Sequence, residues 1–145
     1  MKRVILSGGG TGGHIYPAVA VAEALKRKWK EEVEILFVGA EGKMEMEKIP
    51  ALGYNIVGLP IAGLQRRLEP KNLLVPFKVV SSVRRARKII RDFSADAVVG
   101  FGGYVSGPVV REAASLGIHT AIHEQNSFPG VTSRLLSKKV DHIFT

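Results

Sequence analysis

The stretch Ser7-Gly8-Gly9-Gly10-Thr11-Gly12-Gly13-His14 decides the fold. It follows a short apolar run, Val4-Ile5-Leu6, and precedes an alanine-rich helical pattern that opens near Pro17. Five glycines and a threonine at a strand-to-helix turn let backbone N–H groups approach an anion closely, and the helix N-terminus behind them adds a positive partial charge. A second loop of the same kind lies at Gly100-Phe101-Gly102-Gly103-Tyr104-Val105-Ser106-Gly107-Pro108. One glycine loop is weak evidence. Two, each between a strand and a helix, point to one cleft built from both.

Outward from these loops, apolar runs of strand length alternate with helical periodicity. Strands are expected at Val4–Ser7, Ile35–Gly39, Asn55–Pro60, Ala97–Gly100, Thr120–Glu124 and from His142 to Thr145. Helices are expected at Pro17–Lys28, Met44–Leu52, from about residue 73 to Phe93, at Gly107–Leu116 and at Val131–Lys138. Pro17 suits a first helical turn, where its missing N–H is not needed. Val- and Ile-rich strands between helices indicate a parallel sheet covered on both faces. The fold class is therefore α/β: a Rossmann-like, doubly wound parallel sheet with expected order 3-2-1-4-5-6. Ligands then sit at the carboxyl ends of the strands, where both glycine loops and His123-Glu124-Gln125-Asn126 fall.

At 145 residues the chain suits one domain over residues 1–145, burying roughly 68–70% of its unfolded surface. There is no cysteine, so no disulfide framework and no thiolate metal site. The apolar run Val4-Ile5-Leu6 is too short for a signal peptide, and no stretch approaches the roughly 18 apolar residues of a membrane span. The pattern stops as the sixth strand forms, which reads as the first half of a larger protein or one chain of a split one.

The net charge of +8 is localised. Nine basic residues lie between Arg66 and Arg91, against the single acid Glu69. An anionic partner surface is implied. On the helix ending at Phe93, Val75, Val79, Val83, Ala86, Ile90 and Phe93 form one stripe, the expected sheet-facing side. Leu73, Phe77 and Val80 fall opposite, followed along that side by Arg84, Arg87, Lys88 and Arg91. This outer face is either solvated and partly covered by a loop, or an interfacial patch of apolar residues ringed by cations. Its cations are interleaved with aliphatics rather than with aromatics that stack on bases, so no nucleic acid partner is expected.

Gly8-x-Gly10-x-x-Gly13 formally satisfies the dinucleotide fingerprint. That reading wants an acid at the end of the second strand, about 20 residues on. Glu41 comes late for this, and Glu34 has the spacing but sits at the strand's start. His14 stands at the mouth of the first helix, where the helix dipole disfavours imidazolium. A neutral imidazole there can accept a proton. A histidine at such a place also serves as a cap or packing residue, and it is the presumed cleft that favours the base. His123–Asn126 offers four hydrogen-bonding side chains that can grip sugar hydroxyls or fix another side chain. His119 and His142 lie near strand starts, away from the cleft. The histidines do not cluster at ligand spacing, so no metal is expected.

Taken together, the segment from Ser7 to Ala18, the loop Gly100–Pro108 and His123-Glu124-Gln125-Asn126 closely resemble the MurG family of N-acetylglucosaminyltransferases. These enzymes convert lipid I to lipid II in bacterial peptidoglycan synthesis. The resemblance spans the chain in order but corresponds only to the family's N-terminal domain. It implies half of a two-domain GT-B fold, an inverting mechanism, and no metal or other cofactor. The implied partners are UDP-N-acetylglucosamine as donor, lipid I (undecaprenyl-diphospho-N-acetylmuramoyl-pentapeptide) as acceptor, an anionic membrane surface and a C-terminal donor-binding domain. It implies His14 as general base, and donor contacts from Thr11, Gly12, Gly13 and Asn126. Acceptor contacts are implied for Gly102, Gly103, Tyr104, Ser106 and Glu124. Leu73, Phe77, Val80, Arg84, Arg87, Lys88 and Arg91 match the family's membrane-docking patch, on the cytoplasmic face of the inner membrane. The alternative is a basic lipid- or diphosphate-binding module acting with a separate partner chain.

Overall fold

The computed structural model of the chain describes residues 1–61, 75–126 and 131–145. The side chains at 75–79 and 131–132 lie outside that description, as does Leu73. The elements are β1 (Lys2–Gly8), α1 (Gly12–Trp29), β2 (Val33–Ala40), α2 (Glu45–Ala51), β3 (Asn55–Leu59), α3 (Val75–Phe93), β4 (Ala97–Gly102), α4 (Ser106–Ser115), β5 (His119–His123), α5 (Val131–Leu136) and β6 (His142–Phe144). A short 3-10 turn, Lys30–Glu32, joins α1 to β2.

The six strands form one sheet in the order β3-β2-β1-β4-β5-β6, and each neighbouring pair is parallel. This is the expected doubly wound order. Burial explains it. In β1, Val4 and Leu6 belong to one core, with Ile15, Ala18 and Ala22 of α1 and Ile49 of α2. Ile5, between them, belongs to the other core, with Ala86 and Ile90 of α3 and Val109 and Val110 of α4. Successive side chains of a strand point to opposite faces, so a strand apolar at every position needs helices on both sides.

The chain winds outward from β1 to β3, then crosses back through α3 to β4, which pairs with β1. The winding direction reverses between these two central strands. Loops leaving their carboxyl ends diverge to opposite faces and leave a crevice between them. The two glycine loops are the loops that follow β1 and β4. The ladder between these strands is itself irregular at this end. Ser7 pairs with Gly100 but Gly8 with Gly102, so Phe101 is the extra residue. A bulge of this kind re-aims the chain as it leaves the sheet.

Two elements differ from expectation. α1 begins at Gly12, with Thr11 as its N-cap residue, so Pro17 lies inside the helix rather than in its first turn. Apolar periodicity cannot mark a turn made of Gly12 and Gly13. In α3 the buried line runs Ser82-Ala86-Ile90, with Ile89 and Phe93 partly buried beside it, whereas Val83 is only half-buried. Ser82 is small enough to lie against the sheet, and its polarity hid it from a reading of apolar spacing.

Candidate functional site

The first glycine loop and the N-terminus of α1 form one unit. The Thr11 carbonyl accepts from the backbone N–H groups of His14 and Ile15, at 3.1 and 3.2 Å. The first N–H groups of a helix have no intrahelical acceptor, and in α1 these belong to Gly12 and Gly13. With the helix dipole behind them, they suit an anion.

His14 stands in this first turn, half-buried. Its Nδ1 lies 3.0 Å from the Gly9 carbonyl oxygen and 3.3 Å from Thr11 Oγ1. A carbonyl can only accept, so Nδ1 carries the proton and donates to Gly9. The other ring nitrogen, Nε2, then keeps its lone pair. The side of the ring carrying Nε2 packs against the second glycine loop. A Cβ added at Gly102 would fall 2.8 Å from His14 Nε2, and Gly102 also has a φ of +111°. A Cβ at Gly103 would fall 2.5 Å from the Gly9 carbonyl oxygen. The two glycine loops therefore touch, and the lack of side chains on the second makes room for the imidazole of the first.

The third motif joins them through Gln125, whose Nε2 donates to the Gly13 carbonyl at 2.7 Å. Glu124 turns its carboxylate back to accept from the Asn126 backbone N–H at 3.0 Å, which leaves Asn126 exposed at the end of the segment. The His123 ring lies 5.7 Å from that of Phe101, and its buried Nδ1 has no hydrogen-bond partner among the described residues. Glu124, Gln125 and Asn126 line an open groove of about 610 Å³ with Ser133, Arg134 and Ile143, at the carboxyl edge of β5 and β6.

The second loop divides. Tyr104 is 42% exposed beside the crevice. Ser106 is only 1% exposed, and its hydroxyl donates to the Gly103 carbonyl at 3.0 Å. Its place is beneath the loop, holding the turn that carries Gly102 and Gly103, and not on a surface that meets a ligand directly. The outer end of α3 is cationic but not uniformly free. Val80, Arg84 and Arg91 are exposed, and Lys88 pairs with Asp92 at 2.8 Å. Arg87 reaches the nearly buried Glu112 of α4 at 3.2 Å. The Phe77 side chain and Leu73 lie outside the described residues. His119 and His142 are exposed.

One residue of the site was not singled out by sequence. Glu45, the first residue of α2, is 1% exposed and lies directly under the first glycine loop. Its Oε1 accepts from the Ala40 N–H at 2.9 Å and its Oε2 from the Gly10 N–H at 3.2 Å. Cβ atoms at Gly9 and Gly39 would collide with it, the first at 2.0 Å from Oε1 and the second at 2.5 Å from Cγ. The facing glycines at the ends of β1 and β2 were the available signal. The consequence bears on the dinucleotide fingerprint: the Gly10 N–H already faces an internal carboxylate, so it is not offered to a pyrophosphate. Among the described residues no three histidine, aspartate or glutamate side chains gather as a metal site would require.

The fold and site define the N-terminal, Rossmann-like half of a GT-B glycosyltransferase. The chain belongs to glycosyltransferase family 28, whose N-terminal domain matches residues 4–145. It is 57% identical over 141 residues to a protein of Christiangramia forsetii named UDP-N-acetylglucosamine--N-acetylmuramyl-(pentapeptide) pyrophosphoryl-undecaprenol N-acetylglucosamine transferase, covering 97% of this chain and 38% of that protein. A protein of the same name from Porphyromonas gingivalis is 59% identical over 136 residues, covering 94% and 36%. Among solved structures, MurG of Acinetobacter baumannii superposes with a TM-score of 0.86 at 33% identity, covering 99% of this chain and 41% of that one. UDP-GlcNAc 2-epimerase from Methanocaldococcus jannaschii shares the fold, with a TM-score of 0.68 at 16% identity, covering 100% and 39%. The chain thus spans less than two-fifths of the curated relatives quoted.

Proposed function

We propose that this chain is the acceptor-binding half of an inverting transferase that moves N-acetylglucosamine from UDP-N-acetylglucosamine to lipid I, forming lipid II. The donor-binding domain expected C-terminal to it completes the cleft, and the chain alone is expected to be inactive. The names of the relatives support the substrates. The observation that carries the chemistry is the 3.0 Å approach of His14 Nδ1 to the Gly9 carbonyl oxygen, from which the Nδ1–H tautomer, with Nε2 left as an acceptor, is inferred.

In this reading the acceptor's sugar hydroxyl attacks the anomeric carbon of the donor as its bond to UDP breaks. His14 Nε2 takes the hydroxyl proton, and UDP leaves with the electron pair. The leaving diphosphate gains negative charge, which the N–H groups of Gly12 and Gly13 and the dipole of α1 stabilise most when that charge is greatest. Thr11 and Asn126 are assigned to the donor. Gly102, Gly103, Tyr104 and Glu124 are assigned to the acceptor and its diphosphate, with Ser106 shaping the loop from below. A lipid-linked acceptor also needs the cleft close to a bilayer. The exposed Val80, Arg84, Lys88 and Arg91, with Leu73 and Phe77 added from the sequence pattern alone, would bring it to the cytoplasmic face of the inner membrane. No helix among the described residues is long and apolar enough to cross one.

The test is His14→Ala in the two-domain protein, with transfer to a lipid I analogue as the readout. Turnover is expected to fall about 10²–10⁴-fold, the usual contribution of general-base catalysis, while the donor KM changes little. Near-native turnover would defeat the reading. For the docking face, Phe77→Asp with Val80→Asp is expected to abolish co-sedimentation with phosphatidylglycerol vesicles and leave the fold intact. Unchanged co-sedimentation would remove the membrane surface from the proposal.

A further inference from the structure

No hydrogen bond or ion pair joins Glu45 to His14, yet they bind the two ends of one peptide group. The Gly10 N–H donates to Glu45 Oε2 at 3.2 Å. The carbonyl of the same peptide unit, that of Gly9, lies 3.0 Å from His14 Nδ1. Among the described residues there is no cis peptide bond, so this N–H and this C=O point in opposite directions from one plane. We propose that Glu45 is a positioning residue that acts on His14 through the Gly9–Gly10 peptide, holding the imidazole in the Nδ1–H tautomer. The proposal rests on the reading of His14 as the base.

Both oxygens of Glu45 accept backbone N–H bonds, the pattern of a carboxylate, and no Lys, Arg or His pairs with it among the described residues. A hydrogen bond to an ionised acceptor is roughly twice as strong as a neutral one. Drawing on the peptide N–H in this way raises electron density on the carbonyl oxygen at the other end, and linked hydrogen bonds strengthen one another. The carbonyl becomes a better acceptor for Nδ1–H, which fixes the tautomer that leaves Nε2 free. In hydrolytic triads a carboxylate does this by direct contact with the histidine. Here a peptide group stands between them, and Gly9 and Gly39 leave the space in which the carboxylate lies.

A purely structural Glu45 would pin the loop without affecting the ring, and the two roles separate by experiment. In the 15N-labelled 145-residue chain, two-bond correlations of the histidine rings report which nitrogen carries the proton, with His14 assigned through His14→Asn. The native chain is expected to show Nδ1–H at His14. Glu45→Gln and Glu45→Ala are expected to shift His14 several-fold toward the Nε2–H form with backbone spectra otherwise native. Native Nε2–H, or full retention of Nδ1–H in both folded variants, would overturn the proposal. Should neither variant fold, couplings across the Gly10–Glu45 and His14–Gly9 hydrogen bonds of the native chain decide it, and absence of either overturns it. In the two-domain protein, Glu45→Gln is expected to lower kcat about tenfold with the donor KM little changed. If His14→Ala leaves turnover intact, the general-base reading falls while the tautomer measurement still judges the peptide link.

Discussion

Gln125 donates to the Gly13 carbonyl at 2.7 Å, and Gly13 is the residue whose helical partner is missing because position 17 is proline. In an α-helix the carbonyl of residue 13 is taken by the N–H of residue 17. Pro17 has none. The carbonyl is thereby left for a side chain from the end of β5, and the third motif is drawn onto the first.

This relationship predicts a coupling. Gln125→Ala is expected to destabilise the chain by about 0.5–1.5 kcal/mol, the usual net worth of such a bond. Pro17→Ala restores a backbone donor to the same carbonyl, so in that background Gln125→Ala is expected to cost markedly less. A double-mutant cycle by urea unfolding measures the difference. Equal costs in the two backgrounds would show that Pro17 does not free the carbonyl for Gln125.

The sheet was legible because β1 is apolar at successive positions and helices alternate with strands. That pattern permits few arrangements, and the observed order is the expected one. The two loops were legible as glycine runs. Their contact was not: that Gly103 lies on the Gly9 carbonyl and Gly102 on the His14 ring depends on the bulge at Phe101, a feature of strand pairing. Glu45 was illegible for a related reason. It reads as an ordinary acid opening a short helix, and only the fold shows that two glycines have made room for it. Ser106 was legible as a loop residue, but its burial follows from where α4 starts.

Gly102→Ala is expected to cost activity out of proportion to stability. Its φ of +111° is unfavourable for alanine, a strain of about 1–3 kcal/mol. The new Cβ would also press on the His14 ring at 2.7 Å from Cδ2. Gly42→Ala is the control, since Gly42 has a φ of +76° with nothing near its Cβ direction. Both variants are expected to lower the Tm, but only Gly102→Ala to depress transfer by the two-domain protein. Equal activity at matched stability would remove the second loop from the positioning of His14.

Tyr54 predicts an alkaline limit to stability. Burial pushes its phenol up to about 12, and the hydrogen bond it donates to the Glu23 carboxylate pushes the same way. The folded state therefore holds this proton more tightly than the unfolded chain, whose tyrosines titrate near 10. The contribution is complete below about pH 10 and is lost as pH rises toward 12. Urea unfolding at stepped pH is expected to show stability falling through that window, with the fall reduced in Tyr54→Phe. An identical pH dependence in Tyr54→Phe would assign the loss to other groups.

Arg87 and Arg91 share the cationic end of α3 but are predicted to differ in kind. Arg87 is 3.2 Å from Glu112, whose side chain is 9% exposed, whereas Arg91 is exposed with no ion pair among the described residues. Removing one partner of a largely buried pair leaves the other charge uncompensated. Because the Arg87 side chain is itself 43% exposed, the cost of Arg87→Ala is discounted for solvent screening to about 1–2 kcal/mol. Adding Glu112→Gln is expected to recover part of it. Arg91→Ala and Arg84→Ala are expected to leave the Tm unchanged and to weaken binding to phosphatidylglycerol vesicles by about 1 kcal/mol each, roughly fivefold. Thermal melts and vesicle co-sedimentation on the same variants check both halves. If Arg87→Ala weakens vesicle binding as much as Arg91→Ala and leaves the Tm unchanged, then the contact with Glu112 does not divide the patch.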